Sequence, residues 1–184
     1  MEKMTTWVVD PLHSEVLFKI KHLVISTVTG SFRKFEGKAL TSGDGFENAR
    51  VFFTIDVKSI DTNQAQRDGH LQGGDFFSAD TYPQILFEST SFVKNANDDY
   101  SMTGNLTLKG VTKPVVLNVE YGGSENNGHG VIKHGFEVTG TVNRREFGMT
   151  WNKLTDTGGL GLGEDIKVIA NIQVSELVEE VVVK

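Results

Sequence analysis

Apolar and polar residues alternate with a period of two over most of the chain, and no other sequence feature constrains the fold as strongly. Between Ala49 and Val57, for example, every second residue is apolar and the intervening residues are mostly polar. Such alternation places one face of a strand against a core and the other face in water. The pattern predicts eight strands, at residues 14–23, 31–40, 49–57, 84–93, 100–108, 115–121, 132–142 and 166–174.

The segments between these strands are rich in turn-forming residues, notably at 41–45, 96–99 and 122–130. One segment, residues 61–72, lacks alternation, begins with capping residues and ends before Gly73 and Gly74, which predicts a short helix. Short antiparallel strands with one helical insertion are typical of an all-β barrel or a sandwich. We expect a single domain over residues 1–184, because β-barrels of this length do not usually divide.

Composition excludes several function classes. The formal net charge of −6 argues against a nucleic-acid partner and against docking on anionic membranes, both of which need clustered lysine and arginine. The absence of cysteine excludes disulfides, thiolate metal sites and cysteine nucleophiles. No apolar run approaches the roughly 20 residues of an integral membrane span. The first residues lack a secretory signal pattern, so we expect a cytoplasmic protein, with a periplasmic location as the alternative if a leader has been removed.

Several sequence blocks follow one another in a characteristic order. They are the strand pair of residues 7–36, Arg67-Asp68-x-His70-Leu71, Asp75-Phe76-Phe77 with Tyr82-Pro83-x-Ile85-x-Phe87-x-Ser89-Thr90, Gly104-x-Leu106-Thr107-Leu108-x-Gly110-Val111-Thr112-Lys113-Pro114-Val115, and Asn143-Arg144-x-x-Phe147-Gly148-Met149-x-Trp151. In their order and spacing these blocks resemble the YceI-like family. The resemblance implies an eight-stranded, antiparallel, lipocalin-like barrel that holds an isoprenoid or another amphiphilic lipid, and it implies a homodimer.

The interior of an eight-stranded barrel is either filled by side chains or just wide enough for one small or elongated ligand. Phenylalanine outnumbers tyrosine 12 to 3, which suits a lumen without hydroxyl groups to satisfy, but a packed core fits the same composition. The family resemblance favours a cavity. The residues then predicted to line it are Phe18, Ile20, Phe35, Phe53, Ile55, Phe87, Met102, Leu106, Leu117, Val119, Phe136 and Val138.

A lipid head group at the cavity mouth requires a few hydrogen-bond donors. The candidates are His22, Arg67, Arg144, Arg145 and Trp151. Guanidinium groups are the strongest of these candidates, because they bind phosphate oxygens in a bidentate way. The histidines show no metal-ligand spacing such as His-Glu-x-x-His, so we predict neither a metal nor another cofactor.

Structural roles compete with binding for the same side chains. Arg67 with Asp68 is suited to anchoring the predicted helix, and Arg144 with Glu146 is suited to an ion pair within a hairpin. His22 is in phase with the apolar face of its strand, so the alternative for this residue is a core histidine that bonds a backbone carbonyl. These structural roles are the favoured interpretation of the arginines and of His22.

The sequence favours a carrier or storage protein over an enzyme, and two other functions stay open. A barrel-type isomerase or cyclase would use His22 or the turn from Asp10 to Ser14 for acid–base chemistry on a bound lipid. A stress-related interaction protein would have a packed core and work through its surface. The glycine-rich segment 158–163 predicts a flexible loop, and the apolar tail 176–183 predicts a strand extension or a contact with another subunit.

Overall fold

The structure is a computed structural model that describes residues 2–157 and 161–178. The described strands are β1 (Met4–Val9), β2 (Glu15–His22), β3 (Ser26–Phe32), β4 (Phe35–Ser42), β5 (Arg50–Asp56), β6 (Ile60–Asp61), β7 (Gln84–Lys94), β8 (Tyr100–Leu108), β9 (Val111–Asn126), β10 (Ile132–Asn143) and β11 (Asp165–Glu176). The helix α1 spans Ala65–Gln72. The loop and the tail predicted at 158–163 and 176–183 lie partly outside the described residues.

Eight strands close into an antiparallel barrel in the order β1–β4–β5–β7–β8–β9–β10–β11, and β11 pairs back onto β1. The closing pairs are Trp7 with Glu176 and Val9 with Val174. The predicted eight-stranded barrel with one short helix is therefore confirmed.

The three remaining strands continue three barrel strands beyond an interruption. One edge of β11 pairs with β1 through residues 174–176 and with β2 through residues 167–171, so β1 and β2 together follow this edge. At the interruption, Pro11 begins a 3-10 turn, and Gln173 of β11 accepts a hydrogen bond from the Asp10 backbone N–H at 2.8 Å. The Ser14 hydroxyl accepts from the Gln173 N–H at 2.9 Å, so the ladder continues through a side chain.

The pairs β3–β4 and β5–β6 are interrupted in the same way. β3 pairs with β2 and β6, while β4 pairs with β1 and β5. Backbone hydrogen bonds join the two breaks, from Asp56 N–H to the Lys34 carbonyl at 3.0 Å and from Arg33 N–H to the Ser59 carbonyl at 3.1 Å. The barrel wall thus consists of eight long strands, three of which bend at an interruption.

The helix begins four residues later than predicted, because the start of the predicted segment is part of the sheet. Asp61 pairs with Ser31 in the β3–β6 ladder, and α1 starts only after Gln64, whose side chain caps it by accepting from the Arg67 N–H. Within the described part of the chain, no helix has the length and apolarity that a membrane crossing requires.

The buried apolar residues form two clusters at opposite ends of the barrel. The first, which we call the α1 end, includes Val57, Phe147 and Met149 beside the helix and the 3-10 turn at Arg144–Phe147. The second, which we call the aromatic end, includes Phe46, Tyr100 and further residues packed around Trp7 and Phe136. A channel lined by members of both clusters connects these ends, and it is the candidate functional site.

Candidate functional site

A cavity of about 330 Å³ lies inside the barrel, and its walls are almost entirely apolar. Along β11 it is bounded by every second residue from Ile166 to Val174. Eight residue steps correspond to about 27 Å along a strand, or about 20 Å along the axis of a barrel whose strands tilt by 35–45°. The cavity is therefore long enough for an extended chain.

The inward side chains near the middle of the barrel show that the interior is hollow. Phe18, Phe53, Phe87, Leu117 and Phe136 point into the barrel and line the cavity, but they are only half-buried. In a filled core, side chains at these positions pack at the density of an organic crystal and lose their accessible surface. The packed-core alternative is therefore not the structure of this barrel.

Eleven of the twelve residues predicted to line the cavity do line it, from Phe18 on β2 to Val138 on β10. The exception is Phe35, which does not reach the cavity. Its ring stacks on that of Phe53 with centroids 5.7 Å apart and an interplanar angle of 16°, so Phe53 lies between Phe35 and the lumen. The alternation places both residues on the inner face but does not show which ring covers the other.

Glycines opposite large inward side chains keep the lumen open. Four strand glycines have this arrangement: Gly30 lies against Phe18, Gly37 against Phe53, Gly104 against Phe87, and Gly140 against Leu117. A Cβ atom at Gly30 would meet the Cζ and Cε1 atoms of Phe18, the second at 2.6 Å. Because carbon atoms pack at about 3.5–4.0 Å, the ring can lie flat on the wall only where the wall has no side chain.

Loops and the helix also contribute residues to the two ends of the cavity, and the sequence pattern indicated Phe76 and Phe77 at a barrel end but not Leu71 or Phe46. Leu71, Phe76 and Phe77 line the cavity at the α1 end, and Phe46, from the loop after β4, lines it at the aromatic end. The block Asp75-Phe76-Phe77 was a signal for the first group. Phe46 has no periodic context that could have identified it.

Five rings pack together at the aromatic end. Phe46 lies at their centre, with ring centroids 5.1 Å from Trp7, 5.0 Å from His134 and 4.9 Å from Phe136. His134 Nδ1 and the Tyr121 hydroxyl are hydrogen-bonded at 2.8 Å. Burial lowers the pKa of His134, because the charged imidazolium loses its hydration among these rings. At this end of the barrel, aromatic rings thus pack around a histidine whose charged form burial disfavours.

Arg144 has a structural role that differs from the predicted ion pair with Glu146. Its guanidinium is buried and donates to backbone carbonyls of Gly163, Met149 and Trp151 at 2.7–2.8 Å, with a longer contact to Leu162 at 3.4 Å. Burial lowers the pKa of Arg144. The side chain borders the cavity, but its donors are used to tie the segments around residues 149–151 and 162–163 to the barrel.

Arg67 also borders the cavity, and its contacts fit the predicted role as a helix anchor. Its Nε donates to the Thr62 hydroxyl at 2.7 Å and its Nη2 donates to the Thr62 carbonyl at 2.6 Å. The Asp68 carboxylate accepts from the Thr62 N–H and hydroxyl. Two successive helix residues therefore bind the same threonine at the start of α1.

The other three head-group candidates have different positions. His22 borders the cavity but is exposed, so the prediction of a core histidine is wrong. The backbone of His22 forms an isolated bridge with Leu162. Arg145 and Trp151 do not border the cavity. Arg145 forms an ion pair with Glu164 at 2.9 Å, and the Trp151 ring packs edge-on against His70 with centroids 4.8 Å apart.

The turn between β1 and β2 does not form a catalytic triad. Asp10 Oδ2 lies 2.9 Å from His13 Nδ1, but the Ser14 hydroxyl is bonded to the backbone of Gln173. The hydrogen bond from His13, followed by those from the Leu12 N–H and Lys133, lowers the pKa of Asp10 against the opposing effect of burial. Among the described residues, no group of three histidines or carboxylates is placed to hold a metal ion.

Comparison with known proteins agrees with this architecture. The model of the YceI-like domain matches residues 7–174. A UPF0312 protein of Staphylococcus aureus is 38% identical over 173 residues, which cover 94% of this chain and 98% of the relative. The structure of a Campylobacter jejuni YceI protein superposes with a TM-score of 0.74 at 32% identity, covering 87% of this chain and 91% of that chain.

A more distant structural neighbour is a polyisoprenoid binding domain from Saccharophagus degradans that is implicated in plant cell wall breakdown. It superposes with a TM-score of 0.65 at 14% identity and covers 93% of this chain and 98% of that domain, which shows a shared fold. The domain match over most of the chain and the 38% identity to a full-length relative together show the family. The chain belongs to the YceI-like family.

Proposed function

We propose that the protein binds one isoprenoid or similar amphiphilic lipid in the barrel cavity and stores or carries it without chemical change. The observation that carries this proposal is the continuous apolar channel between the α1 end and the aromatic end. An elongated hydrocarbon fits such a channel better than a compact polar metabolite does. The polyisoprenoid binding of the Saccharophagus degradans domain, which shares the fold, supports the same class of ligand.

The energetics are sufficient for retention. Burial of one five-carbon isoprene unit contributes roughly 3–4 kcal/mol at about 0.8 kcal/mol per buried carbon. Loss of translational freedom and ordering of the ligand oppose this gain by about 4–15 kcal/mol, so roughly one to five units offset the cost and each further unit adds net affinity. We propose that the head group stays near His22, because this residue borders the cavity and is exposed.

The isomerase or cyclase alternative lacks a suitable catalytic group in the described part of the chain. Among the ionisable side chains that border the cavity, His22 and Lys38 are exposed, while Arg67 and Arg144 are engaged by backbone and threonine oxygens. His70, which pairs with Asp75 at 2.8 Å, does not border the cavity. We therefore propose a binding protein. The cytoplasmic location and the homodimer stay predictions, and sedimentation velocity tests the second.

Native mass spectrometry tests the proposal with two adjacent valines as a matched pair. Val115 borders the cavity, whereas the side chain of Val116 is on the outer face and 64% exposed. A C20 prenyl alcohol has about the length of the channel. After incubation with this alcohol, we expect one adduct per chain in the wild type and in Val116→Trp. We expect loss of the adduct in Val115→Trp. Only apo mass in the wild type, or equal adducts in both variants, would contradict binding in the lumen.

A further inference from the structure

The turn between β2 and β3 exposes a set of large apolar side chains. Leu23, Val24 and Ile25 are 43%, 74% and 86% exposed, respectively. They belong to neither of the two buried apolar clusters. We call these three residues the apolar tip.

The backbone conformation of the apolar tip is unusual for its residues. Leu23 has φ 53° and Val24 has φ 64°, which is the left-handed region that glycine and asparagine adopt readily and that β-branched residues avoid. A hairpin of this shape would form more easily with Asn-Gly. Nothing within the fold itself accounts for large apolar side chains at these exposed, left-handed positions.

The apolar tip continues directly into the cavity wall. His22, the residue before it, borders the cavity, and the Leu23 N–H donates to the Gly161 carbonyl at 2.8 Å. The Gly161 N–H in turn donates to the Lys153 carbonyl at 2.7 Å, which places Leu154, 68% exposed, beside the tip. The exposed apolar surface therefore lies next to one end of the channel.

Lysines surround this surface. Lys19 and Lys167 are register partners on β2 and β11, and Lys21 follows Lys19 on the same face toward the tip. Like charges directly opposite each other destabilise a strand pair. These three lysines and Lys153 form no ion pair with any other described residue. The carboxylates nearest to them in sequence are those of Glu15, which accepts a hydrogen bond from Asn171, Asp156, Glu164, which pairs with Arg145, and Asp165. Around the tip, these four lysines outnumber the three carboxylates without an ion pair to a described residue, although the whole chain is acidic.

We propose that the apolar tip inserts into a phospholipid bilayer, with the surrounding lysines on anionic head groups. Exposed Val24 and Ile25 match the acyl region, and unpaired lysines set back from the tip match the phosphate level. This proposal differs from the expectation from net charge, because it concerns the local charge around the tip and not that of the whole chain. The inference rests on the proposed lipid-carrier function, because docking would let a prenyl chain pass from the bilayer into the channel without crossing water.

Vesicle flotation without added prenyl lipid tests docking separately from cargo binding. The vesicles are an equimolar mixture of phosphatidylcholine and phosphatidylglycerol, and the variant is Val24→Asp with Ile25→Asp. The matched control is Leu12→Asp with Val116→Asp, which changes two residues that are 88% and 64% exposed elsewhere on the barrel. We expect the tip variant to reduce the bound fraction at least about tenfold and the control to leave it unchanged.

The outcomes distinguish docking from cargo binding. Wild-type protein that does not float, or equal binding by the tip variant, overturns the docking proposal even if prenyl adducts form in solution. Flotation that depends on the tip supports docking even if no adduct forms, in which case the carrier function fails alone. If the tip variant instead changes only the sedimentation coefficient of the free protein, the partner is a second copy of the chain, and docking on lipid is overturned.

Discussion

The substitution Gly30→Ala tests whether wall glycines keep the channel open. The new Cβ would lie 2.6 Å from Phe18 Cε1, so the ring must move by about 1 Å or more to reach an ordinary carbon contact. Phe18 and Gly30 are direct register partners, and the free space beside the ring is the lumen. If the displaced ring excludes one isoprene unit from the lumen, the loss of roughly 3–4 kcal/mol of burial weakens prenyl binding by about a hundredfold to a thousandfold.

Stability responds much less than affinity to the same substitution. Overpacking costs about 1–3 kcal/mol, and the reduced backbone entropy of the unfolded chain offsets roughly 0.4–1 kcal/mol of this. The assay is isothermal titration with a prenyl alcohol, beside urea unfolding. Gly135→Ala is the control, because a Cβ at this strand glycine meets nothing within 4 Å. The double variant Phe18→Ala with Gly30→Ala should recover binding. Unchanged affinity in Gly30→Ala would refute the role of the glycine.

Two further predictions concern stability. Arg144→Ala should lower the free energy of unfolding by about 3 kcal/mol or more, because each buried carbonyl left without its donor costs about 1–3 kcal/mol. The control Arg145→Ala removes one exposed ion pair worth less than about 1 kcal/mol. Equal urea midpoints for the two variants would contradict the structural role of Arg144. Because burial lowers the pKa of His134 below its usual 6.5, the unfolded chain binds the proton first, so stability should fall as the pH decreases below about 6.5. His134→Gln should flatten this part of a pH series of melting temperatures and the exposed control His129→Gln should not, so an unchanged slope in His134→Gln would exclude this origin.

The barrel and most of its lining could be predicted from the sequence, because both depend on a local property. A strand alternates its faces residue by residue, so the inward set follows from the pattern once one member, such as Phe53 or Leu106, is known to point inward. The turn from Asp10 to Ser14 was predicted, but the pairing of β1 and β2 with the same edge of β11 was not, because the Ser14 hydroxyl takes the place of a backbone group at the break.

Contacts between distant segments could not be predicted from the sequence. The hollow interior depends on the pairing of Phe18 with Gly30 and on the close approach of Gly104 to Phe87, which require the sheet register. Arg144 was predicted to pair with Glu146 because these residues are neighbours in the chain. Its actual partners include the Gly163 carbonyl, 19 residues away, and only the closed barrel brings them together.

The most direct test of the lipid-binding channel is a crystal structure of the protein grown with a prenyl alcohol. We predict elongated density along the barrel axis, between Phe77 at the α1 end and Val174 toward the aromatic end, in contact with the rings of Phe53 and Phe87. A barrel whose inward side chains meet across the axis, with no continuous density and no space for a hydrocarbon chain, would contradict the account.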